Sequence, residues 1–184
     1  MKFTFKIQKY QTEAVDSLVK CFEGQQFADK VQYLRDKGLM PKIVNQEVQT
    51  ELFEKEKTEE EQLEDSDKGY RNAELVLSEK ELLDNIHKIQ DKNFIIHSAK
   101  IEKTANRPSF DIEMETGTGK TYVYTKTMYE LNKAYGWSKF MIVVPSVAIR
   151  EGIYKSLEYT QEHFMQQYGK KIRFFIYNSK RLNM

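Results

Sequence analysis

The chain has 184 residues, enough for one domain with a sizeable core and too few for two comfortable ones. Lys and Arg number 29 against 28 Asp and Glu, so the net charge of +1 argues neither for nor against nucleic acid, and any basic surface must be local. The single cysteine, Cys21, excludes an internal disulfide, and without a membrane-length apolar run or a signal-like start the expectation is a cytoplasmic protein with no membrane contact.

Tyr10 to Phe22 sets Ala14, Val15, Leu18, Cys21 and Phe22 at helical spacing, which predicts an amphipathic helix ending near Gly24. Val31 to Leu39 reads as a second short helix before Pro41. Residues 51–67, ELFEKEKTEEEQLEDSD, are dense in acid and read as a solvated loop or frayed helix. Ser78 and Glu81 form a capping box ahead of Leu82, Leu83, Ile86 and Ile89, so a helix is predicted over 79–90. NFIIH, residues 93–97, is expected as a short strand.

From residue 109 the pattern changes. SFDIE (109–113) alternates like a strand, and residues 120–135 read as a helix packing through Val123, Met128 and Leu131. FMIVV (140–144) is a continuous apolar run, as expected of a strand buried on both faces. Ser146 is placed to cap a helix running to about Gln167, Gly169 to end it, and IRFFIY (172–177) to form another strand. Strand, helix, strand, helix, strand in close order implies parallel crossovers and an α/β fold with a parallel sheet.

The strongest chemical signal is METGTGKT, residues 114–121. Gly117, Gly119, Lys120 and Thr121 match the end of the phosphate-binding P-loop pattern, while Met114 stands where its first glycine belongs. Gly117 and Gly119 permit backbone conformations and close approach that a Cβ obstructs. The N–H groups of Thr116 to Thr121, at the start of the following helix, can point positive dipoles at a polyphosphate. Lys120 adds a full charge and the Thr121 hydroxyl a ligand for Mg²⁺, so ATP with Mg²⁺ is the expected cofactor. A strand before the loop and a helix after it are what this mechanism demands.

Three other features are less specific. In MIVVPSVAIREGI, Pro145 and Ser146 open a helix whose free N–H groups, with Arg150 one turn in, can hold a nucleic-acid phosphate, although taken alone a simple strand-to-helix turn with an N-cap is the plainer reading. Gln11 carries an amide able to pair with the donor and acceptor of adenine's edge, although a surface glutamine in a first helical turn is the plainer reading. His87, His97 and His163 lie far apart in sequence without metal-ligand spacing and read as ordinary side chains.

Together, KYQTEAVDSLVKCFEG and DIEMETGTGKTYVYTKTMYELNKAYGWSKFMIVVPSVAIREGI resemble the beginning of a superfamily 2 helicase motor, and more narrowly the restriction (Res) subunit of type III restriction-modification enzymes. The resemblance covers roughly half of the chain, and that family tolerates a non-glycine at the position of Met114. It implies an incomplete first RecA-like domain over 108–184, a helical segment with the glutamine motif over 1–37, and a charged insertion over 38–107. Gln11 would read adenine, Thr116 to Thr121 would bind Mg-ATP, and Pro145, Ser146 and Arg150 would touch the DNA backbone. Double-stranded DNA and a modification (methyltransferase) subunit would be the partners.

The family also needs a later Asp-Glu box, arginines from a second motor domain and a nuclease domain, none of which has a counterpart in these residues. The strands that fill the middle of a RecA-like sheet are likewise missing. The expectation is therefore a fragment of a larger protein, poorly stable alone, able to bind phosphates without efficient turnover. Two alternatives are a superfamily 2 helicase of DNA repair or RNA handling and a nucleotide-binding module without hydrolysis. A small P-loop kinase is disfavoured by the missing Arg-rich lid.

Overall fold

The computed structural model describes residues 5–28, 31–34 and 68–177. Helix α1, Lys9–Lys20, buries Gln11 and Val15, one turn apart on one face, and lays that face on the helix that follows the glycine loop. Its C-terminal carbonyls are taken up by side chains from elsewhere. Asn85 Nδ2 donates to Cys21 O and Glu23 O at 3.3 and 2.8 Å, and the Tyr135 hydroxyl donates to Val19 O at 2.9 Å. The Cys21 thiol sits in this junction, and burial pushes its pKa up to about 11.

Strands β1 (Val31–Leu34) and β2 (Lys68–Arg71) pair antiparallel, with Val31 opposite Arg71 and Leu34 opposite Lys68. The helix expected over 31–39 is thus corrected at its start. Val31 and Tyr33 suit a strand, and a partner far along the chain supplies the ladder that local spacing could not reveal. Residues 35–39 and the acidic stretch 51–67 lie outside the described residues. Beyond β2, Asn72 accepts from the amides of Ser138 and Lys139 at 2.8 Å each and donates to Lys139 O at 2.8 Å, while Trp137 Nε1 donates to Ala73 O. This ties the segment after β2 to the segment after the loop helix.

Helix α2, Glu79–Lys92, opens on the expected capping box: Ser78 Oγ accepts from the Glu81 amide, and Glu81 Oε2 accepts from the Ser78 amide at 2.8 Å. Leu82 and Asn85 are its buried residues. The strand expected over 93–97 does not form. Phe94 takes a left-handed φ of 56°, and the Ile95 amide returns to Gln90 O at 2.8 Å, so the helix end recaptures the backbone that a strand would need. Residues 97–98 fold back on α2, and the rings of His87 and His97 stack 4.3 Å apart, with His97 2.6 Å from Asp91. Two histidines read as distant are neighbours.

A two-residue turn at Ala105 and Asn106, both with positive φ, then joins β3 (Lys103–Thr104) to β4 (Arg107–Pro108), an antiparallel hairpin that the sequence reading missed. Helix α3, Lys120–Tyr135, lies between α1 and helix α4, Val147–Tyr168. Its central position explains burial on several sides, at Val123, Thr125, Lys126, Thr127, Tyr129, Leu131 and Tyr135; Met128, expected in the core, is only half-buried. Buried hydroxyls on α3 bond back to the preceding turn, Thr125 to Thr121 O at 2.7 Å and Thr127 to Val123 O at 2.9 Å. Against α4 the contact is aromatic: Phe164, 1% exposed, stacks on Tyr122 and Tyr129, and Tyr129 stacks on Tyr168 at 4.8 Å. Gly169, at φ 67°, ends α4 as expected.

The parallel sheet is not formed among the described residues, whose strands make two antiparallel pairs. Segments 109–113, 140–144 and 172–177 carry no strand pairing there, because a strand exists only with a neighbour to accept its ladder. The apolar runs read as buried strands are consequently open: Met141 is 88% exposed, Val143 83% and Phe175 84%.

Candidate nucleotide-binding site

The loop between β4 and α3 is shaped by its glycines. Gly117 and Gly119 hold φ of 81° and 86°, and Gly119 is the N-cap of α3. Gly119 is tightly held: a Cβ there would lie 2.5 Å from Gln11 Nε2, whereas a Cβ on Gly117 would meet open space. Met114 does not need its missing glycine, since its φ is not positive. Its carbonyl serves instead as an acceptor for the lysine of the loop.

A tight turn precedes the helix. The Glu115 carbonyl accepts from the Thr118 hydroxyl at 2.7 Å, from the Thr118 amide at 3.5 Å and from Lys120 Nζ at 2.7 Å, and Lys120 Nζ also donates to Met114 O. The ammonium is turned onto the loop's own carbonyls. The amides of Gly117, Gly119, Lys120 and Thr121 donate to no described residue, and Gly119 offers no side-chain cap. Unpaired N–H groups at the start of a helix, with a lysine in the same loop, are donors that an anion with several oxygens can satisfy. With Gly117 and Gly119 at positive φ and these donors unpaired, the residues present fit a polyphosphate.

Gln11 is brought to the loop from more than a hundred residues away. Its Nε2 donates to Thr118 O at 2.9 Å, and the side chain is 9% exposed. Tyr10, which the sequence reading passed over, donates its hydroxyl to the same oxygen at 3.0 Å. An aromatic with a polar tip beside Gln11 in KYQTEAV was the available signal. Below the loop, Lys126 is buried and donates to Thr12 Oγ1 at 3.3 Å, a second tie between α3 and α1. The Tyr124 hydroxyl, one turn from Thr121, is shut from solvent without a hydrogen-bond partner among the described residues. Burial raises its pKa.

The second candidate cluster stands apart. Pro145 and Ser146 are exposed at the start of α4, and Ser146 Oγ accepts from the Ile149 amide at 3.3 Å, an ordinary N-cap. Arg150 forks onto Glu151 Oε1 at 3.2 and 2.9 Å, so its charge is shared with a neighbouring carboxylate. Among the described residues no hydrogen bond joins Pro145, Ser146 or Arg150 to the glycine loop. His163 stands between α3 and α4, 3.0 Å from the Tyr122 hydroxyl; burial first, and then the Lys126 charge, hold its pKa below the ordinary value. No described helix is long and apolar enough to cross a membrane.

Residues 4–182 match the family described as type III restriction enzyme, res subunit. The type III restriction-modification enzyme EcoPI Res subunit of Escherichia phage P1 and the EcoP15I Res subunit of Escherichia coli are each 41% identical over 112 residues, 60% of this chain and 11% of theirs. The StyLTI Res subunit of Salmonella typhimurium is 44% identical over 84 residues, 45% of this chain and 8% of its own length. The chain therefore spans about a tenth of the curated relatives it matches. With the family match running over nearly every residue, including the loop, α1 and α4, the chain belongs to the type III restriction enzyme Res subunit family.

Proposed function

We propose that this chain is the ATP-binding, DNA-interacting N-terminal motor segment of a type III restriction endonuclease. In this reading residues 108–184 are part of a first RecA-like P-loop domain, residues 1–37 the helical segment that reads the base, and residues 38–107 an insertion carrying α2. The parent protein would couple ATP hydrolysis to movement on double-stranded DNA, act with a modification (methyltransferase) subunit, and cut through a nuclease domain elsewhere in its length.

The observation that supports the reading is the set of unpaired amides of Gly117, Gly119, Lys120 and Thr121 in the loop that also carries the Lys120 ammonium. Those amides orient the phosphates. Lys120, which donates to the carbonyls of Met114 and Glu115, would turn its ammonium to the outer phosphate oxygens and offset their charge, and the Thr121 hydroxyl would help hold Mg²⁺. Mg-ATP, when bound, supplies the phosphoryl bond whose hydrolysis drives the motor. Gln11, already on the loop, meets the adenine. At the start of α4, Arg150 would exchange Glu151 for a DNA phosphate, with Pro145 and Ser146 setting the approach of the backbone.

Titration calorimetry of Mg-ATP into the chain tests this. Lys120→Ala is expected to weaken binding by on the order of 100-fold, with an unchanged far-ultraviolet circular dichroism spectrum. Equal affinity in the variant and the wild type would overturn the site assignment.

A further inference from the structure

The last turns of α3 and α4 border a cavity of about 460 Å³, at the end of α3 away from the glycine loop. Lys133, on its lining, stands about 20 Å along the helix from Lys120, at about 1.5 Å per residue. The cavity and the loop are separate places. Hydrogen bonds fix the cavity's walls. The Tyr168 hydroxyl donates to Glu130 Oε1 at 2.6 Å, and burial first, then that carboxylate, raise its pKa, so it stays a donor. Lys170 Nζ donates to Asn132 Oδ1 at 2.9 Å. The Ala28 amide donates to Tyr135 O at 3.3 Å, which ties the chain beside Phe27 to the end of α3.

These contacts leave a particular set of groups unused. Lys133 and Gln167 make no hydrogen bond among the described residues, Lys170 has hydrogens to spare, and Glu130 keeps its second oxygen. Phe27, 63% exposed, offers a ring that no described ring covers. Two ammonium groups against one carboxylate make the lining cationic. At this end of α3, Asn132 O and Tyr135 O already accept from the Gly136 and Ala28 amides, which removes two acceptors that would repel an anion.

We infer that this cavity is a second binding site, independent of the glycine loop, and that it takes a phosphorylated nucleoside. Lys133 and Lys170 meet the phosphate, and the Phe27 ring stacks on the base. The Gln167 amide and the free Glu130 oxygen meet the donors and acceptors of the base edge. A bare anion would leave the ring, the amide and the carboxylate idle. An apolar ligand would cover two ammonium groups and a carboxylate without partners. The volume suits a small ligand such as one nucleotide unit. That unit is either a free mononucleotide or the phosphorylated end of a single strand.

The test is calorimetry on the whole chain carrying Lys120→Ala, without Mg²⁺, so that the loop has neither its lysine nor its metal. The titrants are adenosine monophosphate, a single-stranded DNA hexamer with a terminal phosphate, and inorganic phosphate. Saturable binding of the mononucleotide or the hexamer is expected. Phe27→Ala should weaken it about fivefold or more through lost stacking, and Lys133→Glu about tenfold or more. Both side chains are exposed, so neither change threatens the fold, and without Lys120→Ala both variants should keep Mg-ATP affinity within about twofold. Mononucleotide binding at least as tight as that of the hexamer makes a free nucleotide the occupant; tighter hexamer binding makes it a strand end. Inorganic phosphate binding as tightly as the mononucleotide overturns the nucleoside assignment. No saturable binding of either nucleotide ligand up to about 5 mM, or binding left unchanged by Phe27→Ala or by Lys133→Glu, overturns the site.

Discussion

Replacing Gly119 with alanine tests the loop's construction most directly. At φ 86° an alanine pays about 1–2 kcal/mol for the left-handed conformation. Its Cβ would also lie 2.5 Å from Gln11 Nε2. That atom is the end of a flexible side chain, so it can swing away, but it then gives up the 2.9 Å bond to Thr118 O, worth about 0.5–1.5 kcal/mol. The sum, roughly 1.5–3.5 kcal/mol, corresponds to a fall in melting temperature of about 3–14 °C for a chain of this size. Gly117→Ala is the internal control. Its φ of 81° carries the same strain, yet its Cβ would meet nothing, so it should lose only the first part, about 1–2 kcal/mol. Thermal unfolding followed by circular dichroism measures both. In a double-mutant cycle, Gln11→Ala should make Gly119→Ala cost no more than Gly117→Ala. Equal melting temperatures for the two single glycine variants would refute the claim that Gln11 is pressed against the loop.

Two further predictions concern the scaffold. Gly136→Ala combines φ 77° with a Cβ driven into the Ala28 carbonyl, a backbone group that cannot swing aside, so urea unfolding should show a loss of about 3 kcal/mol or more; a loss below about 1 kcal/mol would contradict it. Ser78→Ala removes the cap of α2 and should lower the melting temperature by about 2–4 °C near neutral pH. The Ser78 hydroxyl, and then its amide, hold the Glu81 carboxyl below its ordinary pKa. A depressed carboxyl contributes stability that is full above its unfolded value and fades as pH falls through the folded one. The gap between wild type and Ser78→Ala should therefore narrow on acidification, and a gap constant with pH would count against the capping box.

Local chemistry was legible in the sequence and distant pairing was not. Ser78 with Glu81, Ser146 and Gly169 each act within a few residues of themselves, and all three sit at helix ends as expected. The left-handed glycines follow from short-range sterics, whereas Lys120 turned onto the carbonyls of Met114 and Glu115 was not foreseen. Strand β1 was misread because its partner lies more than thirty residues along the chain, and 93–97 because the carbonyls of α2 outcompete a strand ladder. The three segments expected in a parallel sheet show the same limit: alternation and apolar runs signal a capacity to pair, and pairing needs a second strand. At the site, Gln11 was visible as an amide in a first turn. That its nitrogen would meet Thr118 O, with Tyr10 beside it, depends on α1 packing across α3, which no spacing within KYQTEAV encodes.

The antiparallel pairing of β1 with β2 has a consequence for how this chain tolerates change. Val31 is registered opposite Arg71 and Leu34 opposite Lys68, so the ladder sets residues 34 and 68 side by side. Whatever length runs between those strands is tied off at its base. Because closing a loop costs only about 0.6 kcal/mol more for each doubling of its length, that stretch can grow or shrink across relatives, or accept an inserted reporter, while α1, α3 and the glycine loop keep their places.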